Sequence, residues 1–207
     1  MEKTVVVSEE HKQVLGLQLP TDPRWVNLAE MSLEDILTDH AYCEQKAALS
    51  CISLIQSYPE HIEMVRELAP IVTEEWGHFR AVLAELDKRG LTLGRQRKDE
   101  YVNELKKFEQ KPGDRVERLV EKLLVFALIE ARSCERFRLL SLYVNDEAMR
   151  KFYYKFMVAE AGHYRLFIDL AKKYGKNDEK VMARWKEYLD HESDILENLE
   201  VRGDRIH

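Results

Sequence analysis

Cysteine is scarce in this chain: Cys43, Cys51 and Cys134 are an odd number with no C-x-x-C spacing. A disulfide framework and a sulfur-ligated structural zinc are both argued against, which leaves buried reduced thiols. Glycine and proline are few, 8 and 5 in 207 residues, and alternating strand-like segments are hard to find. The longest apolar run, Leu123 to Ile129, is seven residues, against the roughly 20 that a membrane-spanning helix requires. A membrane partner is therefore not expected. Met1 to Leu19 carries acidic residues and no long apolar core, so the chain reads as a cytoplasmic protein without a secretory leader. Excess positive charge is also missing: the net charge of −6 gives no global attraction to nucleic acid, and such a partner would need a local basic surface.

Leucine, alanine, glutamate, lysine and arginine dominate what remains, the composition of a mostly helical protein. The length suits one domain. Residues 1–31 read as an irregular arm, broken by Pro20, Asp22 and Pro23, with Trp25 available to anchor it on the body; residues 32–207 read as the domain itself. Ser32-Leu-Glu-Asp35 predicts a helix start with a side-chain cap. The apolar steps Leu33, Leu37, Ala41, Ala48, Cys51 and Ile55 carry that helix to Tyr58-Pro59. A second helix runs from about Pro59 to Arg89, with a kink predicted at Pro70 and a glycine stop at Gly90. Residues 91–113 are too long for a tight turn and read as a crossover with a short helical pattern around Tyr101 to Phe108. A third helix spans about Asp114 to Val144 and a fourth runs from Asn145-Asp146 to Tyr174. A fifth, C-terminal helix covers Asp178 to Leu199.

Within this pattern two six-residue stretches repeat. Glu75-Trp-Gly-His78-Phe-Arg80 and Glu160-Ala-Gly-His163-Tyr-Arg165 share Glu, Gly, His, an aromatic and Arg at five matching places. Glu and His three apart lie on one helix face and can bind one ion together. Each stretch precedes a glycine by the same distance, Glu75 before Gly90 and Glu160 before Gly175. The chain thus reads as two copies of one helical hairpin joined by the crossover.

Each hairpin also places a lone carboxylate in an otherwise apolar stripe, Glu44 in the first and Glu130 in the third helix. With a rise of about 1.5 Å per residue, all four carboxylates fall within roughly one turn of the same level. Unpaired, such buried carboxylates would each cost several kcal/mol and repel one another. A pair of divalent cations removes the conflict, and mixed carboxylate and imidazole ligation suits iron or manganese. A salt-bridge ladder on a charged helix explains one Glu-x-x-His alone; it does not explain the doubled motif with matched spacing and depth. The rivals Glu74 and Glu135 break the helical step or the spacing. Gly77 and Gly162 suggest close approach of a neighbouring helix, and Arg80 and Arg165, about 200° round from the histidines, suggest a salt bridge at the bundle seam. His40 sits one turn before Glu44, and Cys134 one turn after Glu130; core packing is the preferred reading of both. The set matches the Glu, Glu-x-x-His, Glu, Glu-x-x-His pattern of ferritin-like di-metal proteins, so the expected fold is all-α: a ferritin-like four-helix bundle of two hairpins and a long crossover, plus a fifth C-terminal helix.

Glu44, Glu75-Trp-Gly-His78-Phe-Arg, Ile129-Glu-Ala-Arg-Ser-Cys-Glu-Arg136 and Glu160-Ala-Gly-His163-Tyr-Arg, spread over nearly the whole chain, resemble the bacterial tRNA 2-methylthio-N6-isopentenyladenosine hydroxylases. The resemblance implies a non-haem di-iron monooxygenase acting on the isopentenyl group of the hypermodified adenosine beside the tRNA anticodon. Its ligands would be Glu44, Glu75, His78, Glu130, Glu160 and His163, holding two iron ions in preference to manganese. O2 would be a co-substrate, and an external electron donor, a ferredoxin or reductase, is implied because the chain carries no flavin or nicotinamide fingerprint. The candidate tRNA surface is the basic crossover: Lys88, Arg89, Arg95, Arg97, Lys98, Lys106, Lys107 and Lys111. The competing readings are a ferroxidase or iron-storage protein, a peroxidase or manganese catalase, and a helical binding module without metal. Monomer and small oligomer both stay open.

Overall fold

The computed structural model describes residues 15–110 and 113–207. Among these the secondary structure is entirely helical, with seven helices in the order α1 (Trp25–Met31), α2 (Leu33–Ser57), α3 (Ile62–Lys88), α4 (Glu100–Phe108), α5 (Arg115–Tyr143), α6 (Glu147–Gly175) and α7 (Asp178–Asn198). No helix among the described residues is long and apolar enough to cross a membrane. The described residues divide into two compact units, one formed by residues 28–98 with 202–206, the other by residues 15–27, 99–110, 113–201 and 207.

The first unit is built on the α2–α3 hairpin. Leu37, Ala41, Ala48, Cys51 and Leu54 of α2 and Met64, Leu68, Phe79, Val82 and Leu86 of α3 form its buried stripes. Pro70 lies inside α3 at an exposed position. Gly90 ends the hairpin with φ +67°, and the Leu91 amide reaches back to the Leu86 carbonyl; a residue with a Cβ would be strained in that left-handed cap. The chain then runs back along α2: the Thr92 amide donates to Glu34, the Gly94 amide to Thr38, and the Tyr42 hydroxyl to the Gly94 carbonyl. The C-terminal segment joins the same unit. The Ile206 amide donates to Asp39 at 2.8 Å, and Gly203 lies so close to Leu28 that a Cβ would sit 2.3 Å from its backbone carbon.

The start of α2 departs from the sequence expectation. Ser32 makes no side-chain cap; its carbonyl accepts from the Ile36 amide. Residues 25–31, expected to be irregular, form α1. Asp22 nucleates it by accepting from the Arg24 amide on its side chain and from the Trp25 amide on its carbonyl, and the Pro23 ring is compatible with a helix entry. With α1 running almost into α2, Ser32 lies at a helix-to-helix junction and its side chain is not needed as a cap.

The second unit is built on the α5–α6 hairpin, crossed by α4 and α7. Asp114 and Glu117 form a reciprocal capping box at the start of α5, and Asp146 caps α6, each satisfying amides that the first helical turn leaves open. The buried face of α5 is broad, from Leu119 through Leu140. Arg132 is fully buried within it and donates to Glu192 of α7 at 2.8 Å, to Glu135 at 3.1 Å and to the Leu19 carbonyl at 2.8 Å. Burial opposes the Arg132 charge, but the Glu192 and Glu135 carboxylates outweigh it and hold the guanidinium protonated. Burial likewise pushes Arg136 down to about 10, helped by the neighbouring Arg132; its guanidinium lies 4.8 Å over the Trp25 ring. Arg184 of α7 is bound between Glu121 and the Phe108 carbonyl, which fixes α7 against α4 and α5.

Candidate metal centre

In the α2–α3 hairpin, Glu44 is buried between Ala41 and Ala48 on a mostly apolar stripe that also carries His40. Glu75 of α3 is fully buried, and His78 follows one turn later. His78 Nδ1 is 3.3 Å from Glu75 Oε2 and 3.3 Å from Glu44 Oε2. One ligand atom each from Glu44, Glu75 and His78 lies within 4.8 Å of the others. His40, one turn before Glu44 and wholly buried, has its Nε2 2.7 Å from Glu44 Oε1. It is therefore both a hydrogen-bonded core histidine and a partner of the carboxylate; the i, i+4 spacing was its only signal in the sequence.

The α5–α6 hairpin repeats the arrangement. Glu130, Glu160 and His163 are all buried, His163 Nδ1 is 3.2 Å from Glu160 Oε2, and one ligand atom from each lies within 4.8 Å of the others. Each hairpin thus converges two buried carboxylates and one imidazole, the His163 ring buried and the His78 ring partly exposed. That donor set fits a divalent cation with oxygen and nitrogen preference, and the site's chemistry contains no thiolate. Cys134 donates its S–H to the Met157 carbonyl, and burial, reinforced by Glu160, Glu135 and Glu130, pushes its thiol up to about 12. It stays a neutral packing residue.

The rivals are accounted for. Glu135 accepts from the Thr21 amide at 2.9 Å, from the Thr21 hydroxyl at 2.8 Å and from Arg132, so it is committed to holding the N-terminal segment. Glu74 has a side chain 46% exposed and only approaches His78 Nε2 at 4.0 Å.

Two sequence expectations fail. A Cβ on Gly77 or Gly162 would meet nothing within 4 Å; both glycines face outward and neither admits a neighbouring helix. The reason is angular: Gly77 and Gly162 lie two positions past Glu75 and Glu160, about 200° round the helix. Arg80 and Arg165 are exposed, and among the described residues neither forms an ion pair, so no seam salt bridge exists there.

The basic crossover is partly self-neutralised. Lys88 and Arg89 pair with Glu85, Arg97 with Asp35 and Asp204, and Lys107 with Glu104. Arg95, Lys98 and Lys106 are exposed, and Lys111 lies outside the described residues.

Residues 7–207 match the family model described as tRNA-(MS[2]IO[6]A)-hydroxylase (MiaE). The chain belongs to this family. A curated relative from Pseudomonas putida, named tRNA 2-(methylsulfanyl)-N(6)-isopentenyladenosine(37) hydroxylase, is 36% identical over 84% of this chain and 82% of its own length. A relative of the same name from Salmonella typhimurium is 25% identical over 87% of this chain and 83% of its own. Among solved structures, a protein described as "Protein 43 with aldehyde deformylating oxygenase activity from Synechococcus" superposes with a TM-score of 0.85 at 31% identity, covering 94% of this chain and 96% of that one. With this likeness the fold class of the MiaE-family chain is the ferritin-like all-α one.

Proposed function

We propose that this protein hydroxylates the isopentenyl group of 2-methylthio-N6-isopentenyladenosine in tRNA, beside the anticodon. The observation that carries the reading is the pair of Glu, Glu-x-x-His triples, their four carboxylates buried, within a chain that matches the hydroxylase family over residues 7–207. It is an oxidoreductase of the monooxygenase type, and the family match disfavours iron storage and peroxidase chemistry. We assign Glu44, Glu75 and His78 to one iron ion and Glu130, Glu160 and His163 to a second, the members of a di-iron pair. When bound, that pair supplies reduction of O2, so that one oxygen atom enters the substrate C–H bond and the other leaves as water, at the expense of two electrons and two protons.

The chain's own residues hold and shield. Glu75, Glu130, Glu160 and His163 are buried, which keeps the carboxylate charges strong and excludes competing water. His40 fixes one oxygen of Glu44 and leaves the other toward His78, so the carboxylate is oriented before any ion arrives. The electrons come from a ferredoxin or reductase partner in the cytoplasm, and the exposed crossover cations Arg95, Lys98 and Lys106 are candidates for contacting tRNA.

Anaerobic loading with iron, followed by reductant, O2 and tRNA lacking the hydroxylated nucleoside, tests the reading by mass spectrometry of the digested RNA. A gain of one oxygen on the isopentenyl adenosine is expected. Its absence from protein holding two irons per chain would reject the assignment.

A further inference from the structure

We infer that the outward face of α6, from Lys151 to Arg165, is a docking surface for the tRNA backbone. The inference rests on the reading that this chain acts on tRNA, and it adds where on α6 the RNA is gripped. The exposed residues of this stretch are Lys151, Tyr154, Lys155, Val158, Gly162 and Arg165. Their steps of three and four put them on one helix face, opposite the face that turns Glu160 and His163 inward.

Three observations describe this face, and the first sets it apart from its counterpart on α3. The first is charge. Between Ala148 and Arg165 the one acidic residue is Glu160, which is buried, so the exposed face carries three cations and no anion. Lys155 and Arg165 form no ion pair among the described residues. Lys151 meets Glu147 at 2.7 Å, but the two side chains are 74% and 70% exposed, a pairing that a phosphate readily replaces. In a protein of net charge −6 such a stripe is a local reversal, and charge complementarity selects a polyanion.

The second observation is Tyr154, 56% exposed beside Val158 at 52%. An aromatic flanked by cations is the pairing that holds single-stranded RNA, where an unstacked base covers the ring while the phosphates meet lysine and arginine. The third is Gly162, whose missing side chain leaves open space in the middle of the face. Glycine weakens an exposed helix interior, and packing inside the fold does not explain it here; a bare stretch of helix lets a bulky partner approach the backbone next to Glu160 and His163. Lys151 to Arg165 spans about 21 Å at helical rise, enough to meet several phosphates.

The matched helix α3 is the internal control. Its outward face carries Arg66 and Arg80 but interleaves them with exposed Glu63, Glu67 and Glu74. No continuous cationic stripe results there.

The test uses the full-length protein and fluorescently labelled tRNA, titrated by anisotropy from 50 to 200 mM salt. The triple variant Lys151→Ala/Lys155→Ala/Arg165→Ala is expected to lose about tenfold or more in affinity, and its log-log salt slope to shrink by about 2 to 3. Arg66→Ala/Arg80→Ala on α3 is expected to bind like the parent. Lys151→Arg/Lys155→Arg is expected to restore the parent slope. Circular dichroism melts of each variant guard against misfolding; should the triple variant melt early, Lys155→Glu alone carries the same reading. A parent that binds tRNA alongside a triple variant of equal affinity and slope would overturn this surface while leaving the tRNA reading intact. A parent that does not bind tRNA would overturn both.

Discussion

The two hairpins present the same Glu, Glu, His triple in different surroundings. In α2–α3 the histidine ring of His78 is 18% exposed and Glu44 is braced by His40. In α5–α6 the ring of His163 is 3% exposed, and the position matching His40 is Phe126, which packs edge-on against Phe167 at 5.7 Å. The outer frames differ too. Arg132, two residues past Glu130, is the fully buried hub of a network reaching Leu19, Thr21 and Glu192; the matching residue two past Glu44 is Lys46, at a half-buried position. The repeat keeps its inner triple while changing the residues that brace it. The α5–α6 histidine is the drier of the two, and the α2–α3 histidine is nearer to solvent.

The comparison breaks most visibly at the histidines. His78→Ala and His163→Ala should each lower iron content from two per chain toward one. Hydroxylation should fall by more than about 100-fold, since even outer partners of metal ligands are worth about 10 to 100-fold. Chelator removal of iron from the parent should be biphasic, with the fast phase lost in His78→Ala and the slow phase lost in His163→Ala. Equal, single-phase release from all three proteins would show the halves to be equivalent.

Next in size is the frame. Arg132→Ala leaves Glu192 and Glu135 buried without their cation, a change worth about 3 to 5 kcal/mol, or roughly 2 to 4 °C of melting temperature for each kcal/mol in a chain of this size. Lys46→Ala, at the matched place, should cost less than about 1 kcal/mol. Thermal melts of the two variants side by side measure the asymmetry directly. A smaller effect again is expected at His40. His40→Leu should weaken iron retention in its half by about 10 to 100-fold, read by competition with a chelator of known affinity and without recourse to turnover. Circular dichroism separates this from loss of fold.

Much of this was legible in the sequence. The helix starts near Asp114 and Asp146, the left-handed stop at Gly90 and the short helix in the crossover are local chemistry, and local chemistry is what sequence periodicity reports. That Glu44 gathers with Glu75 and His78, and Glu130 with Glu160 and His163, followed from lone carboxylates on apolar stripes beside a doubled i, i+3 motif. The Arg132 network was not legible, because its partners lie 60 and 113 positions away and a buried arginine looks like any other on a helix. The pairing of Arg97 with Asp35 and Asp204 was hidden for the same reason, whereas Glu85 with Arg89 and Glu104 with Lys107 stand at helical i, i+4 and i, i+3 spacing that the sequence does show. The glycines were legible and misread. The rotation that sets Arg80 opposite His78 also sets Gly77 opposite Glu75, and applying it to both would have placed them in solvent.

Those glycines offer the smallest and most selective test of the comparison. Gly77→Ala and Gly162→Ala each add a methyl group that meets nothing within 4 Å, in an exposed helix interior where alanine is favoured by about 1 kcal/mol. Both variants should therefore melt a few degrees above the parent, and by similar amounts, because the two helices offer the methyl the same empty surroundings. Their binding should part company. On α3 the outward face is of mixed charge, so Gly77→Ala should leave tRNA affinity as it was. On α6 the methyl intrudes on the cationic stripe, so Gly162→Ala should bind tRNA a few-fold more weakly despite its greater stability. If both gain stability and neither loses affinity, the bare backbone at Gly162 is not a contact, and the cations alone define that face.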